Sequence, residues 1–169
     1  MAQLGQGLEE SALSQAIKGV DWIIPLVQSI HIVCIGVVFV SSLMIALRVM
    51  GRMRADEPFP AVWNRFAPWR WGGLVVMVVT GIILVIGEPM REFTALSFWL
   101  KMTLLAISVI STFVFGRTFG PAARQPAATF SSGAKLAAGG ILMLWLAIIF
   151  LGRAIAYDVE VWGSLSLHT

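Results

Sequence analysis

The stretch WIIPLVQSIHIVCIGVVFVSSLMIAL, residues 22–47, runs without one formally charged side chain. An α-helix rises about 1.5 Å per residue, so this stretch is long enough to cross the roughly 30 Å hydrocarbon core of a bilayer. Its only ionisable group of functional interest, His31, then lies inside the membrane, in the outer half. A group at that depth costs free energy unless it is paired, faces a cavity or binds a ligand, so His31 is predicted to belong to a functional site.

The composition is that of an integral membrane protein. Of the 169 residues, 58% are hydrophobic and only 12% are charged, and the mean hydropathy is +0.86. The net charge is +3, but the basic residues sit at the ends of apolar runs, which favours membrane topology over a nucleic-acid partner. The single cysteine, Cys34, excludes an intrachain disulfide. The acidic N-terminal stretch predicts no cleaved signal peptide.

Three further apolar runs complete the predicted architecture, an all-α integral membrane four-helix bundle that forms a single transmembrane domain over residues 1–169. Residues 1–20 are predicted to form a short amphipathic segment at the membrane interface, because their apolar side chains fall on one side of a helix. The spans are predicted at about 22–48, 70–88, 93–116 and 136–157.

The distribution of charge predicts the orientation of the spans. Cytoplasmic loops carry an excess of Lys and Arg, and the two loops that hold most of the basic residues fall on the same side of the bundle. Both termini are therefore expected on the outer, periplasmic side of a bacterial inner membrane. The residues on the expected cytoplasmic side are Arg48, Arg52, Arg54, Arg65, Arg70, Arg117, Arg124 and Lys135.

Helical periodicity groups the polar residues of the spans on single faces, which are expected to point inward. With the orientation above, His31, Lys101 and Arg153 all fall in the outer half of the bilayer, on three different helices. The second span offers small and flexible residues that allow close packing or a flat ligand. The predicted faces are Gln28, His31, Ile35, Val38 and Ser42; Gly73, Met77, Thr80, Leu84 and Gly87; Lys101, Leu105, Ser108 and Thr112; and Leu146, Ile149, Arg153 and Tyr157.

A b-type haem matches this pattern, because its iron takes a histidine nitrogen, its ring needs apolar walls and its propionates need cations or water. His31 is the predicted axial metal ligand. Lys101 and Arg153 are the predicted propionate partners, and Tyr157 is a hydrogen-bond donor. The ring is expected to be lined from the face that carries Gly73 and Thr80.

Several segments carry a resemblance to known families. The segments HIVCIGVVFVSSLMIALRVMG, RFAPWRWGGLVVMVVTGIILVIGEP, FWLKMTLLAISVI and GRAIAY together resemble an uncharacterised family of four-span bacterial membrane proteins. His31 with Trp99-Leu100-Lys101 is also distantly similar to four-span haem-associated protoporphyrinogen oxidases and to copper-resistance D-type membrane proteins. This second resemblance implies a haem or copper role for His31 and a functional role for Lys101.

Simpler interpretations stand beside these. A membrane histidine can bond a neighbouring helix without binding metal, long cationic side chains can snorkel to the interface, and Tyr157 can be an interface anchor. Cys34, one turn from His31, is a conceivable second ligand, although buried cysteine is usually a packing residue. Met50 and Met53 form an MxxM pair with a weak copper signal.

Three functions follow from these alternatives. The first is a haem b electron-transfer subunit at the outer face, with a quinol or a periplasmic redox partner; the sixth iron position is open, or filled by Met102, Lys101 or a neighbouring subunit. One intramembrane histidine, with His168 in the tail, is too few for electron transfer across the whole bilayer. The second is copper handling. The third is a cofactor-free structural or assembly subunit of a larger membrane complex or homo-oligomer. No acid–base pair or nucleophile is visible in the spans, which favours a redox subunit over a stand-alone enzyme.

Overall fold

The computed structural model describes residues 2–119 and 129–167 of the protein, and within those ranges it contains helices and turns but no strand. Two one-turn 3₁₀ segments, Ile155–Tyr157 and Gly163–Leu165, flank the last helix. The helices are α1 Ala2–Glu9, α2 Ala12–Lys18, α3 Ile23–Val49, α4 Phe59–Gly87, α5 Pro89–Phe93, α6 Leu96–Phe119, α7 Ser132–Ala154 and α8 Asp158–Trp162.

Four helical segments are long and apolar enough to cross a membrane: Ile23–Val49, Phe59–Gly87, Leu96–Phe119 and Ser132–Leu165, the last of which contains α7. A backbone in lipid must satisfy its own hydrogen bonds, and helices do so internally. The all-α bundle of four apolar helices predicted from the sequence is confirmed, and the protein is a multi-pass membrane protein.

Two of the long helices begin at other residues than the spans that hydropathy predicted. The second helix begins at Phe59 rather than near residue 70, because Pro60 in its first turn is compatible with a helix start and Arg65 and Arg70 do not interrupt helical geometry. The third begins at Leu96 rather than at residue 93, because Pro89–Phe93 forms the separate helix α5. Hydropathy reports the part of a helix that suits lipid, which is shorter than the helix itself.

The N-terminal segment forms two short helices rather than one. Ser11 separates them and caps α2 by accepting a hydrogen bond from the Ser14 amide at 3.2 Å. Helix α1 packs on α5, and α2 packs on α3 and α4. The segment therefore covers the end of the bundle at which α4 ends and α6 begins.

Three clusters of buried apolar residues show that the long helices run antiparallel. One cluster combines the C-terminal parts of α3 and α6 with the N-terminal parts of α4 and α7, and we name this the basic end of the bundle after Arg48, Arg65 and Arg117 nearby. A second lies midway along the bundle, and the third lies at the opposite end, which we name the acidic end. The clusters contain Ile45, Val49, Phe59, Phe115 and Ala138; Val38, Leu74, Met77, Trp145 and Ile148; and Ala95, Phe98 and Ile155.

Helix α3 lies at the centre of the arrangement and packs on both α4 and α7, while α7 also packs on α6. The close approach of α3 and α4 depends on Gly73, where an added Cβ would lie 2.9 Å from Val38 Cγ2. The polar faces of three helices point inward as expected: His31, Ser42, Thr80, Ser108 and Thr112 are buried. Helix α7 is turned differently, with Trp145 and Ile148 inside.

Candidate functional site

The centre of the candidate site is a hydrogen bond between two long helices. His31 of α3 is only 8% exposed, and its Nδ1 lies 2.8 Å from Thr80 Oγ1 of α4. Gly81 makes room for the ring, since an added Cβ there would lie 3.5 Å from His31 Cε1. The antiparallel contact of α3 and α4 therefore fixes the position of the imidazole.

The hydrogen bonds of the Thr80 hydroxyl favour one of the two neutral forms of the His31 ring. The hydroxyl has a single hydrogen, and it donates this hydrogen to the backbone, with the Val76 carbonyl at 2.8 Å and that of Met77 at 3.1 Å. With the hydroxyl hydrogen on these carbonyls, Thr80 Oγ1 accepts from Nδ1–H of His31; in the other tautomer the hydroxyl donates to Nδ1. In the first of these forms the lone pair of the neutral imidazole is on Nε2.

His31 Nε2 is buried and has no hydrogen-bond partner among residues 2–119 and 129–167. A buried polar atom without a partner is costly, so each such atom in a native protein calls for a specific explanation. A ring whose Nδ1–H is oriented by a hydrogen bond and whose Nε2 is free is the arrangement of a metal-binding histidine.

Lys101 of α6 lies close enough to this histidine to interact with its charge. It is half-buried and interacts electrostatically with both His31 and Glu92. Its ammonium group extends over Gly152 of α7, where an added Cβ would lie 4.0 Å from Lys101 Nζ. The structure therefore places Thr80 against His31, and Lys101 within electrostatic reach of His31 and Glu92.

Glu92 is a member of this group that the sequence analysis missed. It lies on α5, outside the long helices, and burial raises the pKa of its carboxyl while the positive charges of Lys101 and Arg91 oppose the rise. The sequence signal was available, because an intramembrane lysine needs a counter-charge and Glu92 is one of the nearest acids along the chain.

The raised pKa of Glu92 gives a prediction about stability and pH. A carboxyl whose pKa is higher in the folded protein stabilises it fully below the unfolded pKa, and this contribution is lost as pH rises through the folded pKa. The variant Glu92→Gln, which cannot ionise, should therefore have a higher thermal midpoint than the wild type at about pH 8 and the same midpoint at about pH 4. Glu88→Gln, which removes the ion-pair partner of Arg91, is the control and should show no such gain; equal midpoints at both pH values for Glu92→Gln would contradict the prediction.

Arg153 and Tyr157 lie apart from His31. Both are exposed, and Arg153 Nη2 donates to the Tyr157 hydroxyl at 3.1 Å while its guanidinium lies 5.0 Å from the centre of the same ring. The structure does not bring this pair together with His31. The cause is the rotation of α7, which buries Trp145 and Ile148 and turns Arg153 outward.

The remaining ligand candidates also lie apart. Met102 is 44% exposed and Met53 is 44% exposed, so both face away from the core. Met50 packs on α7, since an added Cβ at Gly139 would lie 3.3 Å from its Cε. His168 lies outside the described residues, as does Arg124. Within the described ranges, no three His, Cys, Asp or Glu side chains are grouped to hold a metal ion.

The fold and this site define a class of protein. It is a multi-pass helical membrane protein in which a buried histidine, hydrogen-bonded through Nδ1 but not through Nε2, lies between the two most closely packed helices. The chain belongs to a family of unknown function (DUF6644), whose family model matches residues 11–158. The predicted membership of an uncharacterised four-span family is thereby confirmed. No curated protein and no solved structure matches the chain.

Proposed function

We propose that this protein is a haem b-binding subunit that passes electrons at the periplasmic face of a bacterial inner membrane. The observation that supports the proposal is the buried His31 Nε2, which has no hydrogen-bond partner in the described part of the chain, on a ring whose Nδ1 bonds Thr80. Haem iron takes a histidine nitrogen of this kind, and a hydrogen bond donated by the other ring nitrogen makes the ligand more basic.

The residues around His31 fit one haem better than a metal ion alone. A bare ion needs several protein ligands, whereas a porphyrin supplies four nitrogens of its own and asks the protein for an axial ligand and apolar walls. The walls would come from apolar side chains next to His31; the predicted lining from Gly73 does not fit, because Val38 packs directly against Gly73. Lys101 is the cation that would face a propionate.

In this proposal each residue has a limited task. His31 would hold the iron, Thr80 would keep the imidazole oriented, and Lys101 would neutralise a carboxylate at the acidic end. Arg153 and Tyr157 would be anchors at the lipid–water interface, since both are amphipathic side chains on the exposed face. The haem, when bound, supplies reversible one-electron transfer.

The proposal includes an orientation. The positive-inside rule favours a cytoplasmic basic end, since Arg48, Arg52, Arg54 and Arg65 lie there against only two acids, Asp56 and Glu57. His31 and Lys101 would then lie in the periplasmic half of the membrane. A quinol or a periplasmic redox protein is the partner that could reach this depth.

The absorption spectrum of the purified protein tests the proposal. We expect a Soret band, and a pyridine haemochromogen assay that finds a single haem b per chain, when the protein is expressed with a haem precursor. A colourless protein that binds stoichiometric copper would support the copper function in its place. A colourless, metal-free protein that copurifies with a larger complex would support a structural subunit.

A further inference from the structure

A second polar site lies near the basic end of the bundle, around Arg70 of α4. At standard helical rise Arg70 is about 15 Å from Thr80 along the helix, so it is separate from the His31 site. Its side chain is 2% exposed. The guanidinium carbon lies 4.7 Å from the ring centre of Trp63 and 5.5 Å from that of Trp71. These contacts hold the group in place without neutralising its charge.

The unpaired nitrogens of Arg70 lie on one edge of the guanidinium. Nε and Nη2 are both buried, and neither has a hydrogen-bond partner within the described part of the chain. These two nitrogens carry parallel N–H groups that lie in the guanidinium plane and point outward along the same edge. A pair of parallel N–H groups is the arrangement by which arginine binds both oxygens of a carboxylate.

A small cavity adjoins this side chain. Its volume is about 20 Å³, and its lining includes Arg70, Ser42 and Thr112. Thr112 is 3% exposed, and its hydroxyl also has no partner among the described residues. Ser42 already donates to the Val38 carbonyl at 2.8 Å. The hydrogen-bond donors that remain available at the cavity are therefore those of Arg70 and Thr112.

Among residues 2–119 and 129–167, no acidic side chain forms an ion pair with Arg70. The two acids of the α3–α4 connection are Asp56, which is exposed, and Glu57, which forms ion pairs with Arg54 at 2.5 Å and Arg65 at 3.2 Å. The sequence between α6 and α7, residues 120–131, contains no acidic residue. A charge buried without a partner is strongly unfavourable, so the site calls for an external anion.

We propose that Arg70 and Thr112 form a buried binding site for a carboxylate. Arg70 Nε and Nη2 donate to its two oxygens, and the Thr112 hydroxyl donates to one of them. The small volume of the cavity restricts the group beside Arg70 to a carboxylate head. The carboxylate is that of a membrane-soluble acid distinct from haem, because the proposed haem directs its propionates toward Lys101, at the opposite end of the bundle from Arg70.

Acetate is the probe for this site. In purified full-length protein without haem, we expect acetate to raise the thermal midpoint saturably relative to chloride at equal ionic strength, and to shift the side-chain ¹⁵Nε–¹H resonance of Arg70. Arg70→Met should abolish the response and also raise the midpoint in chloride, because an apolar side chain of similar length replaces an unpaired buried charge. Thr112→Val should weaken the response.

Arg117→Met is the matched control, because Arg117 is an arginine at the same end of the bundle that stacks on an aromatic ring, Phe113 at 4.5 Å, but is exposed. It should keep the full acetate response. Identical midpoints and Arg70 resonances in acetate and chloride would overturn the proposal, as would an acetate response that Arg70→Met retains.

Haem loading tests whether the Arg70 site is separate from the proposed haem site. Loss of the acetate response once haem is bound, or a lower haem content in Arg70→Met, would overturn this separation. A site for a separate acid should respond equally with and without haem. The acetate response of haem-free protein does not depend on the proposed function, so failure of one proposal leaves the other testable.

Discussion

Replacing His31 by glycine is expected to abolish haem binding, and added imidazole should restore it. Glycine removes the only intramembrane histidine and leaves space beside Gly81, where the ring now lies. Free imidazole can enter that space and offer the same nitrogen to the iron. The Soret absorbance per protein should therefore fall to the background of the variant and return with imidazole.

Two further variants make this experiment specific. Thr80→Val keeps the shape of the side chain but removes the acceptor for Nδ1–H, so haem affinity should fall about tenfold while the protein still folds. Ser42→Ala is the matched control on the same face of α3, since Ser42 bonds only its own helix at Val38, and it should retain full haem content. A His31→Gly protein that keeps its haem would exclude His31 as the ligand.

Replacing Asp158 by alanine is expected to lower the free energy of unfolding by about 2–3 kcal/mol. Asp158 is 2% exposed, and its carboxylate accepts hydrogen bonds from the amides of Leu96 at 3.0 Å and Ser97 at 2.9 Å. These amides belong to the first turn of α6, which has no earlier carbonyls to pair with. The carboxylate also interacts favourably with the positive end of the α6 dipole.

The same carboxylate accepts from the Ser166 hydroxyl at 2.7 Å, and Trp162 Nε1 donates to Ser97 Oγ at 2.8 Å. Loss of Asp158 would therefore release the C-terminal segment as well as uncap α6. Unfolding by SDS titration in micelles measures the effect. Glu160→Ala, which removes an exposed acid from the same short helix, is the control and should change stability by about 0.5 kcal/mol or less. An equal loss in both variants would contradict a capping role for Asp158.

Much of the fold was predictable because lipid imposes strong constraints on sequence. A helix that crosses the hydrocarbon core must be long and apolar, and its few polar residues must avoid lipid. This reasoning gave the four long helices and the inward faces of α3, α4 and α6. It did not give the start of α4 at Phe59, because that part of the helix carries Arg65 and does not resemble a membrane span.

The candidate site was predictable in part for the same reason. His31 and Lys101 lie deep in apolar runs, where an ionisable side chain is difficult to explain without a functional role. Arg153 lies one turn from the end of α7, where either face of the helix is close to water, so periodicity could not determine its direction.

Arg70, Glu92 and Asp158 were counted only as charges that set topology. Their roles depend on contacts that no local pattern reveals. Asp158 caps a helix that begins more than sixty positions earlier in the chain. Arg70 packs against Trp63 and lines a cavity together with residues of three other helices. A charge count assigns residues to a side of the membrane but does not separate those that reach water from those that the bundle encloses.

Pulsed electron paramagnetic resonance of the oxidised protein, with ¹⁵N-labelled histidine and the variant His168→Ala, tests the central claim most directly. His31 is then the only histidine in the chain. We predict a hyperfine coupling between the haem iron and a single ¹⁵N-imidazole nitrogen. A haem signal without that coupling, or the absence of haem from correctly folded protein, would contradict the account.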